Sequence, residues 1–348
     1  MLYFLLILNT ICTLLPLLAK NKQSGLKLSM FIIFVFLSLR YNFGNDYMAY
    51  YDNFYNMSFS DRANADVELG YNALCSIFRP LGFYSLQVFL AAIYTYALYS
   101  TIKTYAMPRF YWIVVFCIIS NADLLFFGAS AMRQTLAFSV VLLGLPYLSR
   151  KRLTYFLYVG IATLFHQSAI FFAILYPLMF INLSNKKFII CFAGLAILLM
   201  TVLKEQFYTL INIVLSSAFE KYESRYGDSD LILMDSTIGI AVRILFMLFF
   251  LTCLHKSKDS IKSIFLVLAV LCVVIFTMRD QVMLQRYTMY FGYMMAFAFT
   301  YVLETIKRGS AMMYIFLSLV ILWHLKMSIS FASSTNALFE YHTIFEAL

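Results

Sequence analysis

The sequence predicts an all-α, polytopic integral membrane protein of about twelve transmembrane helices. Of its 348 residues, 63% are apolar and 12% charged, and the mean hydropathy is +0.82; a soluble domain carries about 25% charge. Apolar runs recur along the whole chain, and the loops between them alternate in charge. The net charge of +9 is a balance of 26 cations and 17 acids sorted by membrane side, so it implies no nucleic acid. Five of the six cysteines (Cys12, Cys117, Cys191, Cys253, Cys272) sit in apolar runs and Cys75 in a polar loop, which excludes a disulfide scaffold.

The apolar spans fall at about 2–19, 28–39, 83–102, 110–127, 134–148, 153–165, 169–184, 188–203, 237–254, 263–278, 287–303 and 310–325. The first lacks a basic leader and is long for a cleaved signal, so it reads as a helix. Alternate loops are short and basic: Lys20, Lys22 and Lys27; Lys103 and Arg109; Arg150, Lys151 and Arg152; Lys186 and Lys187; Lys256, Lys258 and Lys262; Lys307 and Arg308. Their acids are Asp259 and Glu304 alone. Lys and Arg concentrate in cytoplasmic loops, so both termini lie outside. One domain over 1–348 follows, with outer loops at about 40–82 and 204–236.

Eight of the twelve arginines are on the outer side or within the membrane (Arg40, Arg62, Arg79, Arg133, Arg225, Arg243, Arg279, Arg286), whereas eleven of the fourteen lysines are inside. A guanidinium fork suits phosphate and carboxylate, while a lysine point charge suffices for topology. The outer face therefore reads as built to hold an anion. The run from Arg40 to Tyr55 sets Gly44 and Asp46 among tyrosines, which offer stacking faces to a sugar or plain anchors at the membrane interface. Glu68, Gly70 and Tyr71 repeat the mix.

Arg133 stands in the first turn of a helix, where it adds positive charge to a positive end unless an anion binds, or snorkels to the interface. His166 breaks two apolar spans at the outer mouth of a hairpin, placed either to move a proton or to cap a turn. Arg279 and Arg286 lie seven residues apart, two turns if helical, with Asp280 as a pairing alternative. Arg243 is intramembrane, where a charge needs a partner. The sequence has no HExxH, paired CxxC or carboxylate-rich loop, hence no metal site, and neither Walker A nor GxGxxG, which disfavours nucleotide substrates.

These residues resemble the bacterial exopolysaccharide and O-antigen polymerases of the Wzy type, in particular the EpsG-like branch. The resemblance rests on Arg40, Gly44, Asp46, Tyr47, Tyr50 and Phe54; on Glu68, Gly70 and Tyr71; on Arg133, Gln134 and Ala137; on Phe165, His166 and Ser168; and on Arg286 with Tyr287. It implies a GT-C-like helical glycosyltransferase of the bacterial inner membrane with its active site facing the periplasm. A growing glycan would pass from undecaprenyl diphosphate to the non-reducing end of a lipid-linked repeat unit. Donor and acceptor are both lipid-linked oligosaccharides, the bilayer is a partner, a chain-length regulator is a candidate protein partner, and no cofactor is required.

On that reading Arg133, Arg279, Arg286, Arg40 and Arg243 hold the diphosphate, whose departing charge they stabilise most in the transition state. His166 or Asp46 is the base that takes the acceptor's proton. Tyr47, Tyr50, Tyr51, Glu68, Tyr71 and Tyr287 line the sugar groove. The rivals are a flippase or transporter, which would place its polar groups at the midplane, an O-antigen ligase or membrane acyltransferase, and a non-catalytic scaffold.

Overall fold

The computed structural model describes residues 2–44, 46–64, 67–200, 206, 237–277, 282–332 and 341–346. Arg279 and, Gln206 apart, the expected outer loop at 204–236 lie outside them; Arg286 and Tyr287 fall within a described helix, but their side chains lie outside the description. Helix dominates, because a chain in an apolar medium must satisfy its own backbone donors and acceptors. The fold divides into two compact units, Met1–Leu178 with Val320–Leu348 and Met179–Leu319.

The first unit opens with a hairpin of α1 (Leu2–Leu18) and α2 (Lys22–Leu39). Asn21 caps α2, its side-chain oxygen accepting from the N–H groups of Gln23 and Ser24 at 3.0 and 3.2 Å, two donors the helix itself leaves unpaired. A β-carbon on Gly25 would stand 2.4 Å from the Leu15 carbonyl oxygen, so glycine is what lets the two helices touch. Ser29 crosses the seam and donates to the Cys12 carbonyl at 2.6 Å. Beyond α2, β1 (Arg40–Tyr41) pairs antiparallel with β2 (His342–Thr343).

The expected outer loop at 40–82 is largely helical: α3 (Tyr47–Asn56), α4 (Phe59–Asn64) and α5 (Leu69–Phe78). A scan for long apolar runs passes over them, because each is short and mixes tyrosine with polar residues. Their helicity is written in the spacing of Tyr47 with Phe54 and of Tyr71 with Cys75, which fall on one face each and bury against Phe83, Leu86 and Leu90. Those three belong to α6 (Phe83–Tyr105).

The single span expected at 110–127 is two helices, α7 (Tyr111–Ser120) and α8 (Ala122–Ser130). They part at Asn121, whose backbone is extended and whose side chain is buried. Next come α9 (Met132–Gly144) and α10 (Arg152–Phe165). The span expected at 169–184 starts instead as a 3₁₀ helix, Gln167–Ile174, before the short α11 (Leu175–Leu178).

The second unit holds α12 (Lys186–Met200), α13 (Thr237–Lys256), α14 (Ser260–Thr277), α15 (Val282–Thr305) and the first part of α16 (Ala311–Ala332). Its core is aromatic, with Phe246 4.9 Å from Phe299 and Phe249 4.6 Å from Phe316 between ring centroids. Lys262 ties α14 to α15 through Glu304 at 2.6 Å. Among the described residues, Lys22–Leu39, Phe83–Tyr105 and Ala311–Ile329 are long and apolar enough to cross a membrane. The last is only 17% buried inside the protein, a surface that suits lipid.

Candidate active site

The site begins with a close crossing of helices. A β-carbon on Gly70 would stand 2.8 Å from the carbonyl oxygen of Leu164 and 3.0 Å from its Cβ, so α5 can rest on the last turn of α10 only because residue 70 has no side chain. That contact fixes two helix ends side by side. Glu68 is the N-cap residue of α5 and His166 the C-cap residue of α10. The first turn of α9 supplies Arg133.

Glu68 joins the other two. Its Oε2 accepts from Arg133 Nη1 at 2.5 Å and its Oε1 faces His166 Nδ1 at 2.7 Å. The side chains of Glu68 and His166 are 9% and 11% exposed, and that of Arg133 is 29% exposed. Burial alone would raise the Glu68 carboxyl, but the His166 hydrogen bond and the Arg133 charge outweigh it and hold the group at about 2. An ionised carboxylate can only accept, so Nδ1 of His166 carries the proton. In the neutral ring the lone pair is then on Nε2, and Glu68 is the ring's hydrogen-bond partner among the described residues.

Two tyrosines complete the polar floor. Tyr50 of α3 lies beside Arg133, whose guanidinium carbon is 5.9 Å from the tyrosine ring centroid, and the two groups interact electrostatically. Tyr71 meets Tyr50 edge-on at 5.7 Å and is buried, with Cys75, Tyr50 and Arg133 as electrostatic neighbours. Burial pushes both phenols above their ordinary range, which keeps them as neutral O–H donors.

Other residues expected at the site do different work. Arg40, expected on the diphosphate, is only 2% exposed; its Nε donates to the Ala129 carbonyl at 3.1 Å and its Nη1 to the Leu37 carbonyl. Its fork closes carbonyls at the ends of α2 and α8, and desolvation lowers it to about 10, still a cation at neutral pH. Arg62 is buried the same way, on Asn72 Oδ1 at 2.8 Å and the Met57 carbonyl at 2.6 Å. Arg79 donates to the Met57 and Tyr55 carbonyls at 2.9 and 3.0 Å. Arg62 and Arg79 thus stitch segment 40–82 together and Arg40 ties its start to α2 and α8, because five donors in a rigid fork suit carbonyls as well as phosphate.

Arg243 lies in the second unit, donating to the Phe276 carbonyl at 3.0 Å. Within the first unit, Arg133 is joined to His166 through Glu68. Tyr47, expected against sugar, is fully buried between Arg40 and Phe83 and offers no face. Tyr51 is half-buried against Phe83 and Tyr55. Glu68, also expected against sugar, has both oxygens engaged. Asp46 is exposed at the start of α3; its N–H donates to Ser130 Oγ at 3.0 Å, and its charge is felt at Tyr50. Gly44, with φ +104°, sits where a β-carbon would come 2.8 Å from Ser130 Cβ, so the loop is moulded onto the end of α8.

The bridging role of Glu68 was not legible in the sequence. The signal available was an acid two residues ahead of a glycine at a helix start, which identifies a cap but not its partners 65 and 98 residues away.

The sequence profile of the EpsG family matches residues 26–343. This chain belongs to the EpsG family. No curated protein and no solved structure matches it. The match takes in Glu68, Arg133 and His166 together. EpsG membership points to a polysaccharide polymerase of a glycosyltransferase-like kind, and with the apolar helices it marks a membrane protein.

Proposed function

We propose that this EpsG chain is a repeat-unit polymerase that moves a growing glycan from undecaprenyl diphosphate to the non-reducing end sugar of a lipid-linked repeat unit, at the periplasmic face of the bacterial inner membrane. About twelve membrane helices in a GT-C-like arrangement carry the site. The observation behind this reading is that a base and a cation, His166 and Arg133, share one buried carboxylate.

An acceptor hydroxyl attacks the anomeric carbon while its proton passes to His166 Nε2. The new carbon–oxygen bond forms as the bond to the diphosphate breaks, and the electron pair leaves with the diphosphate. Arg133, the most exposed of the three, donates to that departing oxygen, where a cation stabilises the transition state more than the ground state. The Arg286 side chain is assigned to the same diphosphate from its sequence position. The cation supplied by arginine makes the step independent of metal.

The test is complementation of a strain lacking this chain. Wild type restores long polysaccharide on a gel, and Arg133→Ala and His166→Ala leave single repeat units at normal protein level. Normal-length chains from either variant would sink the assignment. A wild-type chain that restores transport of repeat units but no polymer would point to a flippase.

A further inference from the structure

Glu68 bonds both partners at once, and this suggests more than a scaffold. We infer that Glu68 is a positioning residue that passes its charge from Arg133 to His166 during turnover, so that taking up the proton releases the guanidinium for the leaving group. The inference rests on the polymerase reading above.

The geometry sets the order of events. In the resting site the carboxylate is shared between Arg133 Nη1 at 2.5 Å and His166 Nδ1 at 2.7 Å, and with a neutral ring the only full positive charge on it is that of Arg133. When Nε2 accepts the hydroxyl proton, the ring becomes a cation and its Nδ1–H bond becomes charge-assisted, the stronger kind of hydrogen bond. One carboxylate now faces two cations, and the hold on Arg133 loosens. At that moment negative charge is building on the diphosphate. The guanidinium, the least buried of the three groups, can turn its donors to the new anion without leaving Glu68 unpaired.

The other groups around the carboxylate do not interfere with this exchange. Tyr50 and Tyr71 are neutral phenols, the Cys75 thiol is raised by burial, and Arg62 is held by Asn72 and Met57. The close seat of Gly70 on Leu164 keeps the carboxylate from following either partner away. After product departs, the proton leaves to solvent and Arg133 returns.

The experiment uses the full chain in nanodiscs, with lipid-linked repeat unit extracted from a strain lacking the chain. Glu68→Gln keeps the side chain's size but removes its charge. We expect kcat to fall about 100-fold, at the low end of what a general base contributes, with KM changed less than about threefold; Glu68→Asp recovers at least a tenth of wild-type kcat. In a His166→Ala background Glu68→Gln costs nothing further, since groups that act as a unit are not additive. A merely structural Glu68 would cost the same factor in both backgrounds, and that result overturns the inference, as does a Glu68→Gln kcat within twofold of wild type.

A second measurement is independent of activity. Nitrogen NMR of histidine-labelled protein, with His166→Ala for assignment, should show His166 protonated at Nδ1 in wild type and a mixture of tautomers in Glu68→Gln. An Nε2-protonated neutral ring in wild type overturns the inference whatever the chain polymerises. Absence of polymer from wild type with the Nδ1 tautomer intact counts instead against the polymerase reading.

Discussion

Gly70 and Leu164 meet so closely that a β-carbon on the glycine would stand 2.8 Å from the leucine carbonyl oxygen. Glu68 lies two residues before that contact and His166 two after it, so the crossing sets the distance between carboxylate and imidazole. Gly70→Ala must push α5 off α10. We expect a stability loss of about 1–3 kcal/mol from overpacking and, because a shift of about 1 Å at a catalytic group can cost about 100-fold, a kcat loss well beyond what stability explains. Measuring kcat on the folded fraction checks this; wild-type kcat there would disconnect the crossing from the chemistry.

Gly160, on the same helix α10, has no atom within 4 Å of an added β-carbon. Gly160→Ala should therefore stabilise by roughly 0.4–1 kcal/mol through the unfolded chain and leave polymer length unchanged. A thermal midpoint lower than wild type would contradict the open space the helix has there.

Arg40 and Arg133 should fail differently. Arg40→Lys removes a fork that serves the Ala129 and Leu37 carbonyls, leaving buried acceptors unpaired at about 1–3 kcal/mol, so yield of folded protein falls while activity per folded molecule holds within about threefold. Arg133→Lys should insert and fold normally and lose most activity. Size-exclusion profiles with specific activity separate the two; the reverse pattern would return Arg40 to the diphosphate.

Glu68 also predicts an acid limit to stability. Its folded value of about 2 lies below the ordinary glutamate range near 4.3, so its stabilising contribution is complete above about pH 4.5 and is lost as pH falls toward 2. Wild type should lose thermal stability between pH 5 and pH 2.5 more steeply than Glu68→Gln. Parallel curves would show that the carboxylate is not held by its partners.

On the proposed role of Arg133 as the cation at the leaving group, activity should survive exhaustive chelation. A strict divalent-ion requirement in nanodiscs would overturn the metal-free account.

Helical class and basic-loop pattern were readable in the sequence because apolar runs and lysine placement are local properties. The helices of segment 40–82 were not, since their buried faces rest on single tyrosines and a phenylalanine rather than on long apolar runs. His166 and Arg133 stood out by residue type and position. Arg40 stood out equally, yet it serves carbonyls, and nothing local distinguishes a guanidinium that closes backbone from one that meets a carboxylate. Sequence alone places Glu68 against sugar, because its partners come from α9 and the end of α10, elements distant in the chain.

The strand β1 finds its mate in β2, and Tyr341 donates to the Phe36 carbonyl 305 residues earlier. At a ribosomal pace of roughly 5–20 residues per second, that clasp cannot close until on the order of 15–60 s after Phe36 is made. Throughout that interval the neighbourhood of Arg40 has an unpaired edge, so insertion machinery or a chaperone has a defined window in which to shield it, and ribosomal stalling late in the message should leave the opening third of the protein selectively sensitive to protease.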